Sequence, residues 1–397
     1  MPTLYYEISY PNSNQRVTGI QRCTQKILEA LYNVLPAHWT IKKVLGLNQF
    51  EGFIYADDFI EKKNIQHIKP VEGDIFLSTL LNLNMSDKLI SAIKTYKDNN
   101  VNVNFISYDI LPIIRPDFFE GVIDHIRSNN KAANFSNSIA LNEQDNFTEI
   151  FSLWLRFVVS NSNNIHCISS VTKNNLKEWI LKNHLEISQT SRLHTIPMAA
   201  ERIKSGNPEP YIATLFKKDA IKFLMVGTIE RRKGHEFILK CFTKLWEKGA
   251  NISLMWAGTE GWPDNKLTNT FKNHPLLGTS FFYFDYVSDS DLSFLYESSD
   301  ALISASEDEG FGLPNIEASR YNLSIIARDI PIFRQVCGDH AFFFPDTNDE
   351  DLFITYLEKW LLLYASGNAP RSELNNTKTW GDVAQAILDN IDISRIN

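Results

Sequence analysis

Four cysteines in 397 residues, at positions 23, 167, 241 and 337, are too few and too scattered for a disulfide framework or a metal knuckle. Their apolar surroundings predict buried free thiols in a reducing compartment. The nine histidines offer no zinc helix either, since His235-Glu236 is not followed by a second histidine four residues on. Long apolar runs are missing, and so is a basic-then-apolar leader, so neither a membrane-crossing helix nor a secretory signal is expected. Basic excess is missing as well. Residues 1–200 carry 19 basic against 19 acidic side chains and the remainder 20 against 28, for a formal net charge of −8. A nucleic-acid binder needs a dominant basic face, so nucleic acid is not an expected partner. These absences predict a cytoplasmic protein, at most peripheral on the cytoplasmic face of a membrane.

What is present is a soluble globular composition, 44% hydrophobic and 22% charged, in a chain long enough for two cores. Short apolar runs alternate with helical spacing. In the first half, strands are predicted at Leu4 to Ser9, Ile41 to Leu45, Asp74 to Ser78, Val101 to Ser107, Ile165 to Ile168 and His194 to Pro197. Helices are predicted from Gly19, over Ser86 to Lys97, over Phe147 to Val159 and from Ser169-Ser170 towards Leu181. Arg115 to Asn146 has weak periodicity and reads as a mobile connection beside the site. Asn207-Pro208-Glu209-Pro210 interrupts helix and ladder alike, which places a domain boundary near residues 205 to 218.

The rhythm then restarts, with strands at Phe223 to Val226, Ser253 to Ala257, Phe281 to Phe284, Ala301 to Ile303, Ser324 to Ala327 and Ala341 to Phe344. Helices fall at His235 to Trp246, Asp289 to Glu297, Asp349 to about Tyr364 and Trp380 to Ile391. Such alternation implies doubly wound parallel sheets. The expected division is a Rossmann-like domain over 1–205, a second over 206–375, and a last helix within 376–397 crossing back.

Two stretches carry chemistry. Ser306 to Ser319, SEDEGFGLPNIEAS, reads as a strand end, a turn and a helix start, with Pro314 at the first helical position. Gly310 and Gly312 permit close backbone approach, and Glu317 is expected in the first helical turn, near the same opening as Glu309. Carboxylates and amide donors converging there suit a ligand with hydroxyls and phosphates. The second stretch is Gly227-Thr228-Ile229-Glu230-Arg231-Arg232-Lys233-Gly234. Basic side chains oppose the dipole of a helix start, a conflict that an anionic ligand would resolve. Gly19 with Arg22, and Tyr108 with Asp109 before Pro112, stand at other strand ends; each is either a site group or a local cap. Asp289 and Asp291 read as helix capping rather than metal binding.

Glu309-Gly-Phe-Gly-Leu-Pro, with its second Glu at 317, resembles the signature of the family 4 retaining glycosyltransferases of the GT-B fold. The resemblance covers most of the chain. The basic loop looks like the family's Gly-Thr-x-Glu-x-Arg-Lys segment, Gly258-Thr259-Glu260-Gly261-Trp262 its second glycine turn, and Phe284-Asp285-Tyr286-Val287-Ser288 its base-contacting stretch. Val17-Thr18-Gly19-Ile20-Gln21-Arg22 is similar to its glycine loop. The resemblance implies two Rossmann-like domains facing a cleft, and retaining transfer from a nucleotide diphosphate sugar to a glycan or lipid-linked acceptor, without cofactor or metal. GDP-mannose and bacterial surface polysaccharide are the first expectation, by likeness to polysaccharide mannosyltransferases.

It assigns Glu309, Arg232, Lys233 and Asp109 to the reaction. Donor contacts fall to Gly19, Gly227, Thr228, Gly258, Tyr286, Val287, Gly310, Phe311, Gly312, Leu313 and Glu317, and acceptor contacts to Arg22 and Tyr108. Three positions depart from the pattern. Tyr108 stands where many relatives have His, Asn322-Leu323-Ser324 replaces a Gly-x-Pro, and Ala199 replaces a common Gly. A noncatalytic glycan-binding or partner-stabilising protein of the same fold is the competing expectation.

Overall fold

The computed structural model describes residues 1–8, 19–47, 49–61, 64–79, 86–123, 146–185, 192–203, 206–216, 219–261, 265–372 and 378–393. The expected loop at Tyr10 to Thr18 lies outside them, as does most of the expected connection from Arg115 to Asn146. The chain forms two compact units, Met1–Met198 with Lys378–Asn397, and Ala199–Thr377. Among the described residues no helix is long and apolar enough to cross a membrane.

The first unit is built on a seven-stranded sheet of β1 (Thr3–Glu7), β2 (Thr40–Leu45), β3 (Ile54–Tyr55), β4 (Ile75–Ser78), β5 (Asn102–Ser107), β6 (Asn164–Cys167) and β7 (Arg192–Thr195). The order is β3-β2-β1-β4-β5-β6-β7, parallel except for β3, which runs antiparallel on β2. At two residues, β3 is too short to leave a periodic signal in the sequence. Parallel strands are buried on both faces, and β4, Ile-Phe-Leu-Ser, is buried throughout. Helix α1 (Gly19–Val34) turns Cys23, Ile27, Ala30 and Leu31 inward at helical spacing. Helix α2 (Asp87–Asp98) starts after Ser86, whose hydroxyl accepts from Leu89 N. Helix α3 (Phe147–Asn161) buries Phe147, Phe151, Trp154, Leu155 and Val158, and Ser169 caps α4 (Ser170–Lys182).

One seam of that sheet is polar. Asn164 Nδ2 donates to Asn104 Oδ1 at 2.9 Å, and Asn164 Oδ1 lies 2.9 Å from His194 Nε2. The His194 ring stacks on His166 with centroids 5.6 Å apart. His166 is fully buried, and burial, reinforced by His194, pushes its pKa down to about 3.

The second unit is a six-stranded parallel sheet of β8 (Ile221–Val226), β9 (Ile252–Ala257), β10 (Phe281–Phe284), β11 (Ala301–Ser304), β12 (Ser324–Arg328) and β13 (Phe342–Phe344), ordered β10-β9-β8-β11-β12-β13. Its helices include α5 (His235–Glu247), α6 (Asp289–Ser298), α7 (Leu313–Ser319) and α8 (Glu350–Ala365). Phe223 and Trp360 pack at 5.3 Å and Trp256 and Phe281 at 4.8 Å, all buried. Asp291 completes a capping box with Ser288 at the start of α6. The final helix, α9 (Trp380–Ile391), belongs to the first unit and packs along α1. All four cysteines are buried free thiols.

Candidate active site

The strand order of the second unit reverses between β8 and β11, and a doubly wound sheet leaves its crevice where neighbouring strands send their connections to opposite sides. The two stretches singled out in the sequence follow β8 and β11. After β8, Arg231–Lys233 makes one 3-10 turn, closed by Gly234 in the left-handed region at φ 73°. A Cβ at Gly234 would lie 2.5 Å from the Ala305 carbonyl oxygen just beyond β11. Glu307 N donates to the Arg232 carbonyl at 2.8 Å. Backbone contacts therefore lock the basic turn to the acidic loop.

Side chains complete the junction. Glu309 is 10% exposed at its side chain; Oε1 accepts from Lys233 Nζ and from Ser306 Oγ at 2.8 Å, and Oε2 accepts from Arg232 Nη1 at 3.1 Å. Arg232 Nε donates to Glu230 Oε2 at 2.8 Å. Burial pushes the Glu309 carboxyl up, but Lys233 and Arg232 outweigh it and hold the pKa at about 2. Glu309 is thus an anion at neutral pH. The charge conflict expected of the basic turn is met by the protein's own Glu230 and Glu309, so an anionic ligand is not required to explain it. Such a ligand must instead share or displace these pairs. Beside the cluster a small recess, open to solvent, is lined by Lys233, Ser304, Ser306, Glu309, Gly312 and Asn315 among others.

Two expectations about this loop need correction. Helix α7 begins at Leu313, because Gly312, at φ 90°, serves as its cap; Pro314 is the second residue, still within the turn that tolerates a missing N–H. Glu317 is consequently the fifth helical residue, past the first turn, and its Oε2 accepts the Tyr296 hydroxyl of α6 at 2.8 Å. Gly310 is buried, and Phe311, Gly312 and Leu313 are partly exposed.

Around the neighbouring strand ends, Gly227 N donates to the Ala257 carbonyl and Gly258 N to the Phe284 carbonyl, each at 3.0 Å. Thr228 lies against Gly261, where a Cβ would stand 2.5 Å from Thr228 Cγ2. Tyr286 is 70% exposed and Val287 is half-buried. The remaining candidates belong to the first unit. Gly19 opens α1 with open space where a Cβ would point, and Arg22 is half-buried on that helix. Tyr108 Oη lies 3.4 Å from Thr24 Oγ1, and burial pushes its pKa up. Asp109 Oδ1 accepts from Leu111 N at 3.0 Å, the local cap that the turn before Pro112 allows.

Residues 212–375 match the family described as glycosyl transferases group 1. The serotype-specific mannosyltransferase WbdA of Escherichia coli is 30% identical over 406 residues, covering 98% of this chain and 45% of that protein. The chain is a GT-B-fold glycosyltransferase homologue, related to bacterial mannosyltransferases. It spans about half the length of WbdA. Among solved structures, the catalytic domain of starch synthase IV from Arabidopsis thaliana, bound to ADP and acarbose, matches with TM-score 0.61 at 11% identity over 99% of both chains. HepE of Anabaena with UDP-glucose matches with TM-score 0.59 at 10% identity, over 100% of this chain and 97% of that one. At such identity these two speak for the fold.

Set beside this glycosyltransferase relationship, Glu230, Ser306 and Tyr296 are members of the site's framework that the sequence reading does not name. Glu230 and Ser306 had a signal, standing two residues before Arg232 and three before Glu309; Tyr296 meets Glu317 from another helix, a contact of which spacing carries no trace.

Proposed function

We propose that the protein transfers a mannosyl group from GDP-mannose to a hydroxyl of a glycan or lipid-linked saccharide, with retention at the anomeric carbon, in bacterial surface-polysaccharide synthesis on the cytoplasmic side of the membrane. The observation that carries this reading is the ionised Glu309 held between Arg232 and Lys233 at the end of β11. In the proposed complex, Arg232 and Lys233 turn to the departing diphosphate, whose charge grows in the transition state, and the amides at Gly310 to Leu313 support the phosphates. Glu309 orients the sugar by its hydroxyls and favours positive character at the reacting carbon. Glu317 accepts from the ribose while Tyr296 fixes its carboxylate. Gly227, Thr228 and Gly258 border the nucleotide, and Tyr286 and Val287 meet the base. Arg22 and Tyr108 contact the acceptor, Asp109 takes part in the reaction and Gly19 contacts the donor. The two cations make a resident metal unnecessary for leaving-group departure.

The donor choice rests on relatives named as mannosyltransferases, two of them O-antigen chain enzymes. Incubation with GDP-mannose, UDP-glucose, UDP-galactose and dTDP-rhamnose, with and without a saccharide acceptor, tests the reading. GDP release that depends on acceptor is the expected result. No release from any donor would sink it in favour of a binding protein of the same fold.

A further inference from the structure

Arg328 ends β12 and is 1% exposed. A buried guanidinium is costly unless its N–H groups find acceptors. Here Nε donates to the Ala305 carbonyl at 3.0 Å, Nη1 to Asp346 Oδ1 at 3.0 Å and the Thr347 carbonyl at 2.8 Å, and Nη2 to Asn348 Oδ1 at 2.9 Å. The rings of Phe237 and Phe344 flank it at 5.5 and 5.6 Å.

Two of those acceptors lead into the Glu309 cluster. Ala305 presents its carbonyl oxygen, the atom on Arg328 Nε, to Gly234 at the end of the basic turn, and it precedes Ser306, which donates to Glu309. Asn348, held by Nη2, donates through Nδ2 to Glu307 Oε1 at 3.3 Å, and Glu307 N donates to the Arg232 carbonyl. One planar cation thus grips both the start of the acidic loop and, through a chain of three hydrogen bonds by way of Asn348 and Glu307, the backbone of the basic turn.

We propose that Arg328 is a positioning residue, fixing the separation of Arg232 and Lys233 from Glu309 without touching substrate. This rests on reading that cluster as a sugar-transfer site. A generic buried staple would hold the unit together without bearing on the cluster's geometry. The fork is what distinguishes the two, because a lysine at the same place keeps the charge but cannot hold four acceptors on two diverging segments at once.

Arg328→Lys in the full chain separates them. Transfer from GDP-mannose should lose about tenfold in kcat with donor KM changed less than about threefold, the mark of an interaction expressed in the transition state. Hydrogen exchange should rise in peptides covering 230–234 and 305–309 while peptides from β9 and α8 keep their protection, a local loosening rather than global destabilisation. Unchanged kcat with exchange rising uniformly across the second unit would overturn the proposal. If Arg328→Lys does not fold, Asn348→Ala cuts the outer route alone. Faster exchange at 230–234 with an unchanged melting temperature then supports the proposal, and no change at 230–234 defeats it. Should the unaltered protein transfer no sugar, the functional reading fails while the exchange data still decide the role of Arg328.

Discussion

Gly258 stands backbone to backbone with Gly227: a Cβ on Gly258 would lie 1.9 Å from the Gly227 carbonyl oxygen. The obstacle is main chain, which cannot rotate away as a side-chain tip can. Gly258→Ala should therefore cost about 3 kcal/mol, at the upper end for overpacking, and push the ends of β8 and β9 apart. Urea unfolding of the variant, with its donor KM measured beside it, checks this. A melt within error of the parent would mean that the contact yields easily.

Removing the charge of Glu309 has two separable effects. Glu309→Gln should lower transfer by about a hundredfold or more, because the sugar loses its anionic partner at the moment positive character develops. Free GDP should bind at least as tightly as before, since Arg232 and Lys233 no longer share their charge with a carboxylate. Calorimetric titration with GDP, next to steady-state kinetics, reads both.

Acid should expose the same carboxylate in a different way. With its pKa held from 4.5 down to about 2, Glu309 contributes stability that is fully present above 4.5 and lost as pH falls towards 2. The stability gap between the parent and Glu309→Gln should be constant from neutral pH to about 4.5 and narrow below it, as followed by urea melts across that range.

Two buried histidines set an earlier acid limit. His166, in the polar seam of the first sheet, and His235, against Trp256 at 4.8 Å, are both held near pKa 3 from an ordinary 6.5, chiefly by burial; neighbouring Lys233 adds to it at His235. Between 6.5 and about 3 the unfolded chain binds these protons and the folded chain does not, so stability falls with falling pH by about 1.4 kcal/mol per unit for each ring. His166→Phe should flatten the slope measured for the first unit. An unchanged slope would mean that the ring is charged when folded.

Nucleotide choice is open to a simple thermal measurement. If the donor is GDP-mannose, GDP at about 100 times its Kd should add about 2.7 kcal/mol to the second unit, and UDP, ADP and dTDP at the same concentration clearly less. Equal shifts from all four would leave the base unread by Tyr286 and Val287.

Every strand but the two-residue β3 was legible because a parallel strand buried on two faces is a short apolar run, and at β2, β8 and β9 a glycine marks where it ends. The Glu309 loop and the basic turn were legible for a related reason: charge and glycine together at strand ends are poorly explained by packing alone. What escaped depends on partners distant in the chain. Glu317 stands one residue further into its helix than a start at Pro314 predicts, because Gly312, by adopting a left-handed backbone, starts the helix one residue sooner. The basic turn was read as awaiting an external anion because nothing in its own eight residues reveals that Glu309 reaches back to it. Arg328 carries no signal in the sequence; only the fold shows it walled in by Phe237 and Phe344 and bonded to the Ala305 carbonyl beside the site.

The return of α9 to α1 has a consequence for synthesis. The second unit is contiguous from Ala199 to Thr377 and can close its six strands as soon as it has left the ribosome. The first unit has nearly 200 residues made before it, yet the face of α1 that receives α9 stays uncovered until Trp380–Ile391 emerges. The half that is translated first is therefore the half that finishes last.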